Sequence, residues 1–280
     1  MTSYHTITID HLSIFYRESG DPQKPTMLLL HGFPSASHMF RDLMPLLADH
    51  FHLIAPDYPG FGQSSLPDPA NFAYTFTHLA AVMTDFITQL GLTKFYLYVF
   101  DYGAPIGFHI AAAHPDWIAG IVSQNGNVYR EGLGAKWATR QDFWDHPTAA
   151  KRETYRNAFA PDTIRGQYLT GTPTHSVGPD GYTLDIAYTH RPHYADAQLD
   201  LIFDYQNNLK AYPTFQRYLR TAQPKLLAIW GKNDPSFIFA GAQAFTRDDP
   251  NAIVQGVASG HFALESHAPE IAQAILKAFA

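Results

Sequence analysis

Asp101 lies where an apolar strand pattern changes directly into a helical one, and its position has the clearest chemical consequence in the chain. The run Phe95–Phe100 is apolar, and Gly103 and Ala104 open the helical pattern that follows. Small residues let a strand and a helix meet at a sharp turn, which exposes the side chain at its apex. A helix N-terminus favours an anion there, so the carboxylate stays ionised and able to act as a nucleophile. The alternative is that Asp101 only caps the helix, a frequent use of aspartate.

Two further residues supply partners for a carboxylate nucleophile. Asp234 follows the apolar run at 226–230, and His261 follows the run at 252–257. Because the carboxyl ends of parallel strands gather at one edge of an open sheet, Asp101, Asp234 and His261 are expected to meet there. Nucleophile, acid, histidine is also the chain order of one known class of hydrolytic triad. The sequence therefore predicts a catalytic triad in which Asp234 orients His261.

A tight turn after the first buried strand supplies a fourth element. The sequence His31-Gly-Phe-Pro directly follows the apolar residues 27–30. Such a turn can direct the backbone N–H of Phe33 toward the residue at the apex, and the N–H of Tyr102 lies next to that residue in the chain. Together these two N–H groups are predicted to form an oxyanion hole. His31 itself is expected to be structural.

A carboxylate nucleophile restricts the reaction. Attack by Asp101 on a carbonyl gives an anhydride, whereas attack on a saturated carbon that carries a leaving group gives an ordinary ester. His261 can then deprotonate a water that attacks Cγ of that ester, while the Phe33 and Tyr102 N–H groups hold the oxyanion. We therefore expect hydrolysis of a bond between a saturated carbon and a heteroatom, with water as the second substrate.

The elements that must position these residues follow from apolar periodicity. Short apolar or alternating runs predict strands, and amphipathic runs between them predict helices. Regular alternation of the two is typical of a parallel sheet with helices on both faces. The predicted strands are residues 6–19, 27–30, 52–55, 95–100, 118–123, 226–230 and 252–257, and the predicted helices are residues 37–48, 76–90, 104–113 and 271–279.

This alternation stops between residues 128 and 223, where Tyr, Trp, His, Pro and Gly mix with short stretches of helical period. Such a segment indicates an inserted helical cap. The predicted fold class is α/β, with a mostly parallel, doubly wound sheet. The predicted core domain comprises residues 1–127 and 224–280, and the cap of residues 128–223 is inserted between strands 6 and 7.

Composition excludes several classes of function. The chain has 280 residues, a formal net charge of -6 and no basic run, so it lacks the positive surface that nucleic acid or an anionic membrane requires. It has no cysteine, no signal-peptide pattern and no long apolar span, which predicts a cytoplasmic protein. The histidines, including His190 and His193, do not have metal-ligand spacing. The expected partners are a small hydrophobic substrate and water, without metal or cofactor, and a homodimer is left open.

These motifs make the chain similar to the α/β-hydrolase superfamily, and specifically to its epoxide hydrolase and haloalkane dehalogenase branch. The resemblance extends over nearly the whole chain. In that branch the residue after the nucleophile is usually tryptophan, whereas this chain has Tyr102 there. The motifs are HGFP at 31–34, DYPGFGQS at 57–64, FDYGAP at 100–105, GKNDP at 231–235 and SGHF at 259–262.

The leaving group divides the possibilities that the resemblance implies. An epoxide oxygen becomes an alkoxide and needs a proton, which a tyrosine can donate at neutral pH. Residues 128–223 contain nine tyrosines, and Tyr205 resembles the tyrosine that epoxide hydrolases place on their last cap helix. A second donor would be Tyr155, Tyr168 or Tyr129. Epoxide hydrolysis to a diol is therefore the leading hypothesis.

Two alternatives stay open. A haloalkane or haloacid dehalogenase needs only N–H donors for its halide, and Trp137, Trp144 or Asn125 are the candidates in this chain. A receptor of the same fold that binds a small ligand without turnover belongs to another class, because one fold hosts many functions.

Overall fold

The computed structural model describes all residues, 1–280, and contains one eight-stranded sheet. Its strand order is β1-β2-β4-β3-β5-β6-β7-β8, and every neighbouring pair from β4 to β8 is parallel. Only the pairs β1/β2 and β2/β4 are antiparallel. The strands are β1 Ser3–Ile9, β2 Leu12–Ser19, β3 Thr26–Leu30, β4 His52–Pro56, β5 Phe95–Phe100, β6 Ile118–Gln124, β7 Leu226–Gly231 and β8 Ile253–Val257.

The central strands are apolar because helices cover both faces of the sheet. All residues of β4 and β7 are buried, as expected for parallel strands enclosed on both sides. The ten helices are α1 Met44–Leu47, α2 Phe76–Gln89, α3 Gly103–Ala113, α4 Trp137–Asp145, α5 Ala149–Thr154, α6 Pro161–Leu169, α7 Asp180–Tyr188, α8 Tyr194–Ala222, α9 Ala240–Asp248 and α10 Ala263–Phe279. Residues of α2 and α3 pack in one apolar cluster and those of α1 and α10 in the other. The predicted fold class is confirmed.

Three predicted elements differ from the structure, one of them being the helix predicted at residues 271–279, which begins at Ala263. The strand predicted at residues 6–19 is a hairpin of β1 and β2, whose turn contains Asp10 and His11 at φ of 44° and 67°. The helix predicted at residues 37–48 is a 3-10 turn, Ser37–Phe40, followed by the short α1. Pro45 explains the break, because proline has no N–H to continue a preceding helix and instead begins the next one.

The segment between β6 and β7 contains helices α4 to α8 and no strand of the sheet. Helix α8 is 29 residues long and contains Pro213. Its second half packs on the core, where the rings of Phe215 and Phe108 of α3 lie 5.8 Å apart. The division at residue 223 therefore falls after a helix that contacts the core, and the domain boundaries stay a prediction. No helix is both long and apolar enough to cross a membrane.

Candidate active site

Asp101 lies at the tip of the turn between β5 and α3, with φ of 47°. This left-handed conformation is uncommon for a residue with a side chain and marks a strained turn. The neighbouring glycines allow it. A Cβ on Gly103 would lie 2.2 Å from the carbonyl oxygen of Leu30, and a Cβ on Gly32 would lie 2.3 Å from Cβ of Asp101. Only glycine fits at these two positions, so the sequence places the Asp101 side chain at the carboxyl edge of the sheet.

Two groups contact the Asp101 carboxylate. The backbone N–H of Phe33 donates to Oδ1 at 2.8 Å. Nε2 of His261 lies 3.5 Å from Oδ2. The backbone N–H of Tyr102 follows directly in the chain, at the beginning of α3. The carboxylate is therefore held between one predicted oxyanion donor and the predicted base.

Asp234 fixes the other side of the histidine ring. Nδ1 of His261 lies 2.6 Å from Oδ2 of Asp234, and both side chains are buried. Oδ1 of Asp234 accepts hydrogen bonds from the backbone N–H groups of Ser236 at 2.7 Å and Phe237 at 3.1 Å. These bonds hold the carboxylate in one orientation, so Nδ1 carries the proton and Nε2 faces Asp101.

Asn125 lies behind this pair and does not line the cavity. Its Nδ2 donates to Oδ2 of Asp234 at 2.8 Å, and its Oδ1 accepts from the N–H of Gly231 at 2.9 Å. Its backbone is left-handed, with φ of 48°, a conformation that asparagine tolerates better than most residues. Asn125 was a predicted candidate for a halide ligand, but both ends of its amide contact protein groups.

The charges around His261 change its basicity. Burial on its own lowers the pKa of a histidine, but the carboxylates of Asp234 and Asp101 together raise the pKa of His261 to about 9. At neutral pH the ring is therefore a cation between two anions. Loss of either negative charge lowers this pKa, and esterification of Asp101 is one way to lose it.

A small cavity of about 120 Å³ opens above Asp101 and His261. It is far below the roughly 300 to 1,000 Å³ of a pocket for a drug-sized ligand, so it suits a small molecule. A second cavity of about 150 Å³ shares five lining residues with it. The first cavity is lined by Phe33, Asp101, Tyr102, Lys136, Trp137, Arg140, Ala158, Thr163, Gln167, Ser236 and His261.

The tryptophans that were candidates for holding a halide have occupied N–H groups. Trp137 lines the cavity, but its Nε1 donates to the carbonyl of Ser236 at 2.9 Å. Trp144 does not line it, and its Nε1 donates to the carbonyl of Ile202 at 3.2 Å. Neither indole can bind a halide without first losing one of these bonds.

The candidate tyrosines lie at different distances from the cavity. Tyr205 is fully buried, its hydroxyl lies 3.3 Å from that of Tyr212, and its ring lies 5.9 Å from Tyr102. Tyr155 packs on Phe143 instead of lining the cavity. Tyr168 hydrogen-bonds the carboxylate of Asp185, away from Asp101.

Tyr129 and Tyr102 both have a buried hydroxyl without a hydrogen-bond partner. Tyr129 packs on Phe245 of α9, outside the cavity, whereas Tyr102 lines the cavity next to Asp101. Burial raises the pKa of Tyr102 well above its ordinary value, so this hydroxyl keeps its proton. Among the tyrosines considered, the structure brings Tyr102 to the cavity.

Sequence reasoning missed two cations in the cavity wall. Lys136 and Arg140 lie four residues apart at the beginning of α4, and both line the cavity. Residues at that spacing share one face of a helix. Their spacing was visible in the sequence, but the direction of that face depends on how α4 docks.

Comparisons with known proteins agree with the fold. Residues 25–268 match the family model described as alpha/beta hydrolase fold. An uncharacterized hydrolase of Saccharomyces cerevisiae is 44% identical and covers 99% of this chain and 97% of its own length. Haloalkane dehalogenase 2 of Mycobacterium tuberculosis is 29% identical over 91% of this chain and 88% of its own length.

Solved structures are similar as well. The crystal structure of the haloalkane dehalogenase DbeA from Bradyrhizobium elkani superimposes with a TM-score of 0.82 and 23% identity. It covers 99% of this chain and 97% of its own chain. At this identity the likeness concerns the fold.

Proposed function

Because this chain belongs to the α/β-hydrolase fold family and is a hydrolase, we propose that Asp101, His261 and Asp234 form its catalytic triad. The observation that carries the proposal is the continuous contact from Phe33 N–H through the Asp101 carboxylate and the His261 ring to Asp234. Nucleophile, base and orienting acid in such a series are the usual parts of a covalent hydrolytic site.

In the first step of the proposed reaction, an Asp101 oxygen attacks a saturated carbon in the cavity. A carbon–oxygen bond forms, the bond to the leaving group breaks, and the leaving group departs with the electron pair. The product is an alkyl ester of Asp101. The contact between Oδ1 and the Phe33 N–H leaves Oδ2, next to His261, as the attacking oxygen.

In the second step, His261 accepts a proton from water, and the hydroxide formed attacks Cγ of Asp101. Esterification has removed the negative charge of Asp101, so the pKa of His261 falls and its neutral form becomes available. The N–H groups of Phe33 and Tyr102 stabilise the tetrahedral oxyanion. Collapse expels the alcohol, which takes the proton from His261, and Asp101 returns to a carboxylate by losing a proton to solvent.

We propose a halide as the leaving group, so that the net reaction converts a carbon–halogen bond and water into an alcohol, a halide and a proton. The haloalkane dehalogenase named among the relatives supports this choice. Within the cavity, the Tyr102 hydroxyl is an available donor for the departing anion. This assignment differs from the sequence hypothesis, which favoured epoxides and gave the halide to tryptophan or Asn125.

Epoxide opening is the second candidate, and one observation favours it. Both tryptophan N–H groups are bound to backbone carbonyls, whereas the Tyr102 hydroxyl beside Asp101 is free. A free tyrosine can protonate the alkoxide that forms when an epoxide ring opens. Asp101 would then be esterified by the same attack, and the product would be a diol.

The test uses small chlorinated, brominated and epoxide compounds with the purified enzyme. Halide release is measured by ion chromatography and diol formation by gas chromatography. Halide release with no diol supports dehalogenation, and the reverse supports the epoxide candidate. A single turnover in oxygen-18 water, followed by mass spectrometry of the protein, tests the triad. Label in Asp101 supports the ester, and label confined to the product would contradict it.

A further inference from the structure

Lys136 and Arg140 are cations without an ionic partner in the wall of the candidate site. Neither side chain forms an ion pair or a hydrogen bond with any carboxylate, although both line the cavity with Asp101. Nearby cations of the same helical segment behave differently. Lys151 pairs with Asp142, Arg152 with Asp200, and Arg156 with Glu153 and Asp196. The two cations in the cavity wall therefore have no protein carboxylate that neutralises them.

Arg140 is held in place without a carboxylate. Its guanidinium carbon lies 4.5 Å from the ring centroid of Trp137, and that indole is fixed by its bond to the Ser236 carbonyl. Stacking on an aromatic ring orients the guanidinium plane and leaves its N–H donors free. Arg140 and Tyr102 line the same cavity, and the charge of Arg140 opposes the rise that burial causes in the pKa of Tyr102.

Lys136 shares the same electrostatic environment. Lys136 is exposed to solvent and also lines both adjoining cavities. Desolvation by the surrounding protein is the main cause that lowers the pKa of Lys136, and the charge of Arg140 lowers it further. The carboxylates of Asp234 and Asp101 oppose this decrease. Two like charges in one small cavity repel each other, which is unfavourable unless an anion joins them.

The site has more basic than acidic side chains, which favours the binding of one anion. The site contains two carboxylates, those of Asp101 and Asp234, and three basic side chains, those of His261, Lys136 and Arg140. One basic side chain therefore has no carboxylate of the site to neutralise it. An anionic substrate would otherwise be repelled by the Asp101 nucleophile, so cations opposite the carboxylate are what such a substrate requires.

We propose that the cavity binds substrates that carry a carboxylate on the carbon that Asp101 attacks, with that carboxylate held by Arg140 and Lys136. The inference rests on the proposed nucleophile but not on the choice of leaving group. A planar guanidinium suits a carboxylate because two N–H groups can donate in parallel. The cavity volume of about 120 Å³ fits a substrate of a few heavy atoms. This substrate class differs from the small hydrophobic substrate expected from the sequence and agrees with the haloacid alternative.

The experiment compares two compounds of the same shape, 2-chloropropanoate and 2-chloropropanamide, which differ in the charged group. We expect wild-type kcat/KM to be higher for the acid by about tenfold or more, since hydrogen bonds to charged groups contribute that much. Arg140→Gln should raise KM for the acid by a similar factor and leave the amide unchanged. Lys136→Gln should act in the same direction, and Arg140→Lys should retain part of the preference.

Arg165→Gln is the matched control, because Arg165 is an exposed residue of α6 that lines a different groove. Arg165→Gln should leave the kcat/KM values of both the acid and the amide unchanged. Equal rates for acid and amide in the wild type, or an equal loss for both in Arg140→Gln, would overturn the proposal.

A binding measurement separates this inference from the reaction chemistry. Titration calorimetry of Asp101→Asn with 2-hydroxypropanoate, the product anion, should show binding that weakens about tenfold on adding Arg140→Gln. If neither chloro compound releases chloride but this Arg140-dependent binding is present, the halide assignment fails and the anion site stands. If haloalkanes release halide but the product anion does not bind, the anion site fails and the proposed function stands.

Discussion

Asn125 and His261 contact the same oxygen of Asp234 from two sides, at 2.8 and 2.6 Å. The asparagine side chain thus helps to hold the carboxylate that orients the histidine. Because Asn125 also accepts a hydrogen bond from Gly231 at the end of β7, it ties this carboxylate to the sheet. The position of the proposed base is therefore set by three strands of the sheet and not by its own loop alone.

Replacing Asn125 by glycine should lower kcat while KM changes little. Glycine accepts the φ of 48° without strain, so the variant removes the hydrogen bonds and keeps the backbone. Losing a bond to a charged group should lower kcat about tenfold or more. A steady-state assay with the test compound that the enzyme turns over measures the loss, and a shift in the pH profile distinguishes a positioning role from general destabilisation.

Asn207 on the outer face of α8 provides the control for this variant. Its side chain contacts only Asp204 and Lys210 at the surface. Asn207→Gly should leave both kcat and the pH profile unchanged, apart from a small loss of helix stability. A normal kcat in Asn125→Gly would mean that the backbone donors to Oδ1 are enough to orient Asp234.

The pKa of His261 should fall when Asp101 loses its charge. The pKa of about 9 depends on two carboxylates acting against burial, so Asp101→Asn removes one of the two negative charges that raise it. The imidazole signals of His261 in a two-dimensional nitrogen–proton spectrum, followed from pH 5 to 10, give the midpoint directly. A midpoint unchanged from wild type would mean that Asp234 alone sets the basicity, and it would remove the reason for the base to become active after esterification.

Stability should decrease with pH in the alkaline range. The folded pKa of His261 is about 9 and its ordinary value is 6.5, so the folded state holds the extra proton between these values. The resulting stabilisation is complete below pH 6.5 and is lost as the pH rises through about 9. It contributes at most about 3 kcal/mol to the free energy of unfolding. Urea unfolding from pH 6 to 9.5 measures the slope, and His261→Gln should lack that part of it. Parallel curves for the two proteins would contradict the raised pKa.

Much of the fold could be predicted because strands that are buried on both faces of a sheet are continuous apolar runs in the sequence. The apolar runs at β5, β6 and β7 agree with the structure to within one residue at each end. Asp101, Asp234 and His261 follow strands that are neighbours or near neighbours in the sheet, so the order of elements alone brings their loops to one edge. Local sequence and topology act together at these positions.

The cavity wall could not be predicted, because it depends on how helices of the insertion dock. Trp137 and Trp144 offered N–H donors in the sequence, but the structure uses both donors for backbone carbonyls. Tyr205 turns toward Tyr212, while Arg140 reaches the cavity from α4. The direction of a side chain in the insertion is decided by how the helices pack, which the spacing of residues along one helix does not show.

Gly103→Ala should destabilise the protein strongly, because the added methyl has no space. Its Cβ would lie 2.2 Å from the Leu30 carbonyl oxygen and 2.8 Å from that of His31, and both are backbone atoms that cannot move without disturbing β3. We expect a loss of at least about 2 kcal/mol in the free energy of unfolding, or failure to fold, since overpacking against a rigid backbone costs this much. Gly166→Ala in α6 is the matched substitution, because nothing lies within 4 Å of its Cβ position, and alanine there should stabilise the helix by about 0.5 to 1 kcal/mol. Chemical denaturation of both variants tests the pair, and a Gly103→Ala protein as stable as wild type would mean that the turn carrying Asp101 is not held against β3.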